Sequence, residues 1–341
     1  MTVLVLNAGS STLKFAVFEG REPALRFKDQ VQGAGAAALD ALFARLAAER
    51  IDVAGLAGIG HRIVHGGIEF STPVIVDDEI EARLNALRPL APLHQPYGLD
   101  ALRRMREAAP EVRQVACFDT AFHATQPEIV RRFALPSAYF ERGYRRYGFH
   151  GLNFEHVVHS LPAQTGAPLP HRLLIAHLGN GASLCAVKDG RSVATTMGYS
   201  TLDGLVMGTR PGALDPGVIL AIMKDDRLSP EQMEEVLYRK SGLLALSGIT
   251  SDMRLLLENP APAARNAVEA YCYWTARQAA SVIAAMGGID AMVFTGGIGE
   301  NAEPVRRRVI HHLAWINAFP AHVVLANEEL VIARHSTGFF A

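Results

Sequence analysis

Two stretches, half a chain apart, follow one grammar. Residues 3–18 read VLVLNAGSSTLKFAVF, and residues 173–187 read LLIAHLGNGASLCAV. In each, an aliphatic run leads into a turn of small and polar residues, and a second run follows it. In the first, Leu13, Phe15 and Val17 alternate with Lys14, Ala16 and Phe18, a period of two that argues a strand. The second continues through Lys188, Asp189 and Gly190 into a third strand over 191–196. A chain of 341 residues is long enough for two domains. Either the chain is a duplicated α/β structure with a cleft between its halves, or two hairpins resemble each other by chance.

The first turn has the chemistry of a phosphate site: Asn7, Ser10, Ser11, Thr12 and Lys14 crowd around Gly9. The phosphate-loop pattern G-x-x-x-x-G-K-[ST] occurs nowhere in the chain. A strand, not a helix, follows the turn. The site would therefore present the backbone N–H groups and hydroxyls of a hairpin instead of a helix N-terminus.

A net charge of −1 gives no overall field toward nucleic acid or an acidic membrane, so neither is expected as a partner. Cys117, Cys185 and Cys272 are odd in number and far apart, which predicts reduced core residues and not a disulfide framework. The N-terminus lacks a basic n-region, and its apolar run ends at Asn7. No apolar run approaches the ~18 residues of a membrane span. A cytoplasmic protein is expected.

Helices are predicted over 99–109, stopped by Pro110, and over 229–240, where Ser229 and Gln232 form a capping box around Pro230. Residues 263–286 place Val268, Tyr271, Cys272, Ala279, Val282, Ile283 and Met286 on one stripe of a long core helix. Residues 33–41 read as a loop into a helix over 38–50, and 290–313 as strand, glycine turn and helix.

Several stretches carry chemistry. In GHRIVHGG (60–67), His61 and His65 have the i, i+4 spacing of a zinc pair, but Arg62 stands where a zincin has Glu. A buried histidine pair, or an anion-binding arginine at a strand end, fits better. In CFDTAFH (117–123), Asp119 follows an apolar strand. It is either an acid at a strand's carboxyl end or a helix cap. FERGYRRYGFHG (140–151) interleaves Arg with aromatics, which suits stacking on single-stranded nucleic acid, but the neutral charge favours a packed, arginine-edged segment. His150 is either a core residue or a donor. GTRPGALDPG (208–217) holds Arg210 in a rigid turn, as a fixed guanidinium or a surface salt bridge. FTGGIGEN (294–301) is an incomplete nucleotide loop.

In order, NAGSSTLKF, GHRIVHGG, PLHQP, FDTAFH, RRYGFHG, HLGNGAS, MGTRPG, SGLLALSG, SDMR, GGIGEN and NEELVIA span Val3 to Arg334. The series resembles the acetate kinase family, whose members phosphorylate short-chain carboxylates. That resemblance implies a duplicated ribonuclease-H-like fold, shared with sugar kinases, actin and the Hsp70 ATPase domain. It places an N-terminal domain over 1–150, a nucleotide-binding domain over 151–328, and a segment 329–341 that packs back on the first.

Residue by residue, the resemblance puts Asn7 and Glu328 near Mg²⁺ (or Mn²⁺). It puts Ser10, Thr12, Lys14 and the loop His177, Leu178, Gly179, Asn180 and Gly181 at the phosphates of ATP or ADP. Asp252, Met253 and Arg254, with Gly297, Ile298, Gly299, Glu300 and Asn301, lie on the adenosine side. Arg62 holds the carboxylate, and Val64, Leu93, Phe149 and Thr201 surround its alkyl end. Asp119 is catalytic, and His150 and Arg210 steady the transferring phosphoryl group. A homodimer is implied as well.

The implied chemistry is coherent. Phosphoryl transfer spreads charge over three oxygens and needs chiefly positioning and charge stabilisation. A short carboxylic acid, with a pKa of about 4.3, is already ionised at pH 7. It needs no general base, so Asp119 is expected to orient Arg62 or metal-bound water. A hydroxyl-directed sugar kinase would need that base, and a non-catalytic ATP switch would leave both arginine turns unexplained. The chain departs from its relatives in being several tens of residues shorter, between Phe18 and Gly60 and between Arg308 and Leu325. It also has Leu152-Asn153-Phe154 for Thr-Ser-His, Ala213 for Asp, Thr201 for Pro and Gln95 for Asn. These changes bear on which acid is used, since a pocket separates one methylene by only ~1–3 kcal/mol.

Overall fold

The computed structural model describes residues 1–9, 12–33, 35–92 and 94–340. The chain divides into two compact units. Unit 1 comprises Met1–Ala124, Phe149–His156 and Asn327–Ala341, and unit 2 comprises Thr125–Gly148 and Val157–Ala326.

Unit 1 is built on β1 (Thr2–Ala8), β2 (Thr12–Glu19), β3 (Ala24–Gln32), β4 (Gly58–Ile63), β5 (Val74–Ile75) and β6 (Gln114–Phe118), in the order β3-β2-β1-β4-β6-β5. The first three strands are antiparallel neighbours. On the other side of β1, β4 and then β6 run parallel to it. Unit 2 has β7 (Arg172–Leu178), β8 (Ala182–Lys188), β9 (Arg191–Thr195), β10 (Ala291–Thr295) and β11 (Ala321–Val323), in the order β11-β10-β7-β8-β9. Here too the first three strands are antiparallel, and two parallel strands follow on the far side of the first. Both units carry a bulge between their second and third strands. Chance does not reproduce strand order, direction and bulge together. Of the two readings the hairpins left open, duplication is the one the chain adopts, with the ribonuclease-H-like architecture that the resemblance implies.

Side-chain alternation sorts the core of unit 1. Leu4 and Leu6, with Phe15 and Val17, face Leu42, Leu46 and Met105 of the helices Ala36–Ala48 and Gln95–Ala108. Their neighbours Val3, Val5, Ala16 and Phe18 face the other way, onto Leu152, Val331, Ile332 and Ala333. A sheet covered on both faces explains why β1 reads as a near-continuous apolar run. Leu42 is wholly buried, and truncating such a residue to alanine costs about 2–5 kcal/mol. In unit 2 the helix Pro262–Met286 buries Val268, Tyr271, Cys272, Ala279, Val282, Ile283 and Met286, the stripe expected of it. The helix Pro230–Arg239 opens on the anticipated capping box.

Three expectations need correction. The helix predicted over 99–109 starts at Gln95, because Pro96 is tolerated in a first turn that needs no N–H partner. The loop-and-helix reading of 33–50 shifts to a helix Ala36–Ala48. The glycine turn in FTGGIGEN is itself a helical turn, Gly296–Asn301. At φ 77°, Gly296 lets β10 pass straight into it, and a Cβ there would lie 2.8 Å from the Leu178 carbonyl.

The arginine–aromatic segment is packed. Phe140 lies between Arg132 and Arg145, whose guanidinium carbons are 4.4 and 3.9 Å from the ring centre. Among the described residues, no helix is long and apolar enough to cross a membrane.

Candidate active site

The parallel strands β1, β4 and β6 of unit 1 end side by side, and their carboxyl ends carry Asn7, Arg62 and Asp119. This is where open α/β sheets place ligands. Arg62 is the hub. Its Nε donates to Asp119 Oδ1 at 3.0 Å and to Oδ2 at 3.1 Å, and its Nη2 donates to Oδ2 at 2.5 Å. Its Nη1 donates to Asn7 Oδ1 at 3.0 Å. The Asn7 amide then donates from Nδ2 to Glu328 Oε2 at 2.9 Å and Glu329 Oε1 at 3.0 Å. Glu328 also lies 3.8 Å from the Arg62 Nε. Both glutamates open the helix Glu328–Phe340, where helix-dipole electrostatics favour negative charge.

Local geometry holds Asp119 in place. Its N–H donates to the Ile63 carbonyl at 3.1 Å, and its own carbonyl accepts from Gly151 N at 2.9 Å. A Cβ on Gly151 would lie 2.2 Å from that carbonyl oxygen. His150, at φ 59°, turns the chain tightly enough to offer its backbone N–H to the Asp119 carboxylate. Burial raises the Asp119 pKa; the Arg62 charge and hydrogen bonds oppose this, Glu328 adds to it, and the His150 N–H opposes it again. Burial disfavours the charged Arg62, but Asp119, Glu328 and Glu329 outweigh it and hold the guanidinium protonated. Three carboxylates around one guanidinium leave a net negative cluster.

Of the histidines in the motifs, His61, His65 and His123 are buried, and burial lowers each to about 4. His123 reaches the Phe149 carbonyl at 3.0 Å. A five-residue 3₁₀ helix, Ala121–Thr125, follows Asp119, and the carboxylate goes to Arg62, so the strand-end reading of Asp119 describes it and the cap reading does not. Val64 and Phe149 are buried in the same unit. Lys14 is exposed on β2 and sits directly across from Asn7 on β1; Thr12 meets Gln32 at 3.4 Å. Ser10 and Leu93 lie outside the described residues.

In unit 2 the strand ends of β7 and β10 bring together the turn after His177 and the helical turn Gly296–Asn301. A Cβ on Gly179 would lie 3.9 Å from Gly297 N, and one on Gly296 would lie 3.2 Å from His177 Nε2. Leu178 is fully buried, whereas Asn180 is exposed and its carbonyl accepts from Gly208 N at 3.2 Å. A Cβ on Gly208 would lie 2.2 Å from Asn180 Oδ1 and 3.5 Å from Ser251 Cβ, so Ser251, the residue before Asp252, comes near Gly208 beside this turn. Asp252 caps the helix Met253–Glu258, accepting from Arg254 N at 2.8 Å. Arg254 is exposed, and Met253 is buried as packing. Gly181, Ile298, Gly299, Glu300 and Asn301 lie on the same two turns, and Glu300 Oε1 ties Gly296 N at 2.9 Å to Ala326 N at 2.8 Å. Arg210 donates to the Thr201 carbonyl at 3.2 Å and lies over the Tyr238 ring at 5.7 Å. Among the described residues, no cluster of three or more His, Cys, Asp or Glu is arranged as a metal cage.

Sequence reading missed Glu329 and Thr120, whose hydroxyl accepts from Gly66 N at 3.0 Å, and it noted Gln95 only as a departure from relatives, without the contacts it makes. No spacing signal distinguishes Glu329 from Glu328, since either could face Asn7 until the helix is placed. Gln95 had a faint signal, a polar residue just before proline at a helix start.

The sequence profile of the acetokinase family matches residues 24–327. An acetate kinase of Rhodopseudomonas palustris (strain TIE-1) is 41% identical over 386 aligned positions, covering 98% of this chain and 97% of that one. The acetate kinase of Porphyromonas gingivalis superposes with a TM-score of 0.87 at 31% identity over 99% of both chains. A propionate kinase of Francisella tularensis superposes at 0.88 with 32% identity over 98% of both.

Proposed function

The chain belongs to the acetokinase family, and from that premise we propose that it transfers the terminal phosphoryl group of ATP to a short-chain carboxylate. The products are an acyl phosphate and ADP, and the reaction is reversible. Acetate is the first candidate acid and propionate the second. The observation that carries this reading is the state of Asp119: both its carboxylate oxygens are taken by Arg62. With both oxygens turned to the guanidinium, Asp119 serves to hold Arg62 for an anionic acceptor; a hydroxyl acceptor would call on it as a base instead. An acceptor that is already anionic needs none, only a fixed cation to bind it.

In this reading Arg62 binds the acid's carboxylate, and Asp119 and Asn7 hold the guanidinium in one orientation. Val64, Leu93, Phe149 and Thr201 enclose the alkyl end. Arg210 and His150 stabilise the charge that builds on the phosphoryl oxygens as it passes in line between donor and acceptor. Lys14, Ser10, Thr12 and the turn His177–Gly181 hold the phosphates, and Asp252–Arg254 and Gly297–Asn301 hold the adenosine. The oxygen-rich, net negative cluster of Asn7, Glu328 and Glu329 fits Mg²⁺, which takes one or two carboxylates, waters and substrate phosphates in preference to a closed cage. When bound, the ion neutralises charge on the ATP phosphates. Asn7 turns its amide nitrogen to Glu328, so its part is to position that carboxylate. A cytoplasmic homodimer completes the proposal.

The test is a panel of acids and sugars with coupled ADP detection and hydroxylamine trapping of acyl phosphate. Turnover and trapping with acetate or propionate are expected. Turnover with a sugar alone, or ATP hydrolysis indifferent to every acceptor, would refute the reading.

A further inference from the structure

The loop that leaves β4 carries Val64 two residues after Arg62, and one side chain outside the loop clamps it. Gln95, the first residue of the helix Gln95–Ala108, is 1% exposed. Its Oε1 accepts from the His65 N–H at 3.0 Å, and its Nε2 donates to the His65 carbonyl at 3.0 Å. One amide thus satisfies both backbone polar groups of a buried residue, as a neighbouring strand would. Other ties converge on the same loop. Thr120 Oγ1 accepts from Gly66 N at 3.0 Å, and His65 Nδ1 accepts from Gly67 N at 2.8 Å. The Phe149 ring meets the His65 imidazole edge-on, with centroids 5.6 Å apart. The helix itself presses on the strand end, since a Cβ on Gly98 would lie 3.0 Å from the Arg62 carbonyl.

We infer that Gln95 is a specificity-determining positioning residue: by clamping His65 it sets the distance of Val64 from Arg62, and so the depth open to the alkyl end of the acid. The inference rests on the carboxylate reading above. Gln95 need not touch substrate. It acts on the residue between Val64 and two glycines, and glycines leave the loop free to move unless something else holds it. A pocket built to one methylene changes its preference when one wall shifts by about the length of a bond.

The experiment compares kcat/KM for acetate, propionate and butyrate in the full chain. Gln95→Met keeps length and bulk and loses both bonds; Gln95→Asn keeps the amide. Val64→Ala alters the wall directly, and the double variant closes a cycle. Gln95→Met is expected to raise the KM for acetate, leave that for ATP unchanged, and shift the acetate-to-butyrate ratio roughly tenfold toward butyrate. Gln95→Asn is expected to recover much of the ratio, and the double variant to be non-additive in it. Thermal unfolding monitors folding; should Gln95→Met not fold, Gln95→Glu, which keeps only the acceptor for His65 N–H, takes its place. An unmoved ratio in a folded variant, or strict additivity with Val64→Ala, overturns the inference. If the unaltered enzyme phosphorylates none of the three acids, it is the carboxylate reading that has failed.

Discussion

Asp119→Asn separates orientation from stability at the Arg62 hub. The substitution keeps size and one acceptor oxygen but removes the charge. At an effective dielectric of about 20, an ion pair near 3 Å is worth about 5–6 kcal/mol of Coulomb energy. Glu328 lies 3.8 Å from Arg62 Nε, a separation worth about 4 kcal/mol on the same scale. The guanidinium is therefore not orphaned; it keeps a carboxylate partner and the bond to Asn7. The stability loss should fall near or below the low end of the 3–5 kcal/mol cost of breaking a buried pair, about 2–3 kcal/mol. Orientation fares worse, because the fork of three contacts from Nε and Nη2 to one carboxylate is cut to what a single amide oxygen can accept. Losing a group that aims a charge-stabilising donor lowers kcat by roughly 10²–10³, or about 3–4 kcal/mol. The assays are coupled ADP release under saturating acid and ATP, and urea unfolding of the same preparation. A folded variant that keeps kcat within roughly threefold, far short of the expected loss, refutes the account. So does an activity loss fully explained by its unfolded fraction.

Three further outcomes are expected. Glu328→Gln should raise the Mg²⁺ concentration needed for half-maximal rate by roughly tenfold or more, read from a metal titration; an unchanged requirement removes Glu328 from the ion's surroundings. Gly151→Ala should displace the Asp119 carbonyl, which a Cβ would approach to 2.2 Å, at a cost of about 1–3 kcal/mol and with a fall in kcat; a variant as stable and active as the parent contradicts the packing. Stability should fall as pH drops from 6.5 toward 4, because His61, His65 and His123 are lowered to about 4 in the folded chain. In that window the unfolded state binds up to three more protons, so stability rises with pH there; urea midpoints that do not change between pH 7 and pH 4.5 would contradict it. The raised Asp119 pulls the opposite way, and His61→Gln or His123→Gln should flatten the slope if the histidines dominate.

The two hairpins were legible because local rules settle them: β-branched alternation makes the strands, and small residues make the turns. Finding that pattern twice raised a duplicated fold as one of two readings, and matching strand order and direction in the two sheets decided it. The capping box at Ser229 and the buried stripe of Pro262–Met286 were legible for the same reason, since each depends on residues within a few turns of one another. β3 was not, because ALRFKDQVQ is largely exposed and charged, and it is a strand through pairing with β2 at the sheet edge. The chemistry divides along the same line. Residue types alone left Arg62, Asp119 and Asn7 with alternative readings, and the resemblance supplied their roles; they lie 57 and 55 residues apart in pairs with Arg62, and their union depends on parallel strands ending together. That Asp119 is occupied by an arginine, that Glu329 shares Asn7 with Glu328, and that Gln95 clamps His65 are decided by which strand and helix ends meet. Short-range pattern determines most elements, β3 at the sheet edge excepted; only the packed sheet, with water excluded and buried polar groups in need of partners, decides which distant side chains become one site.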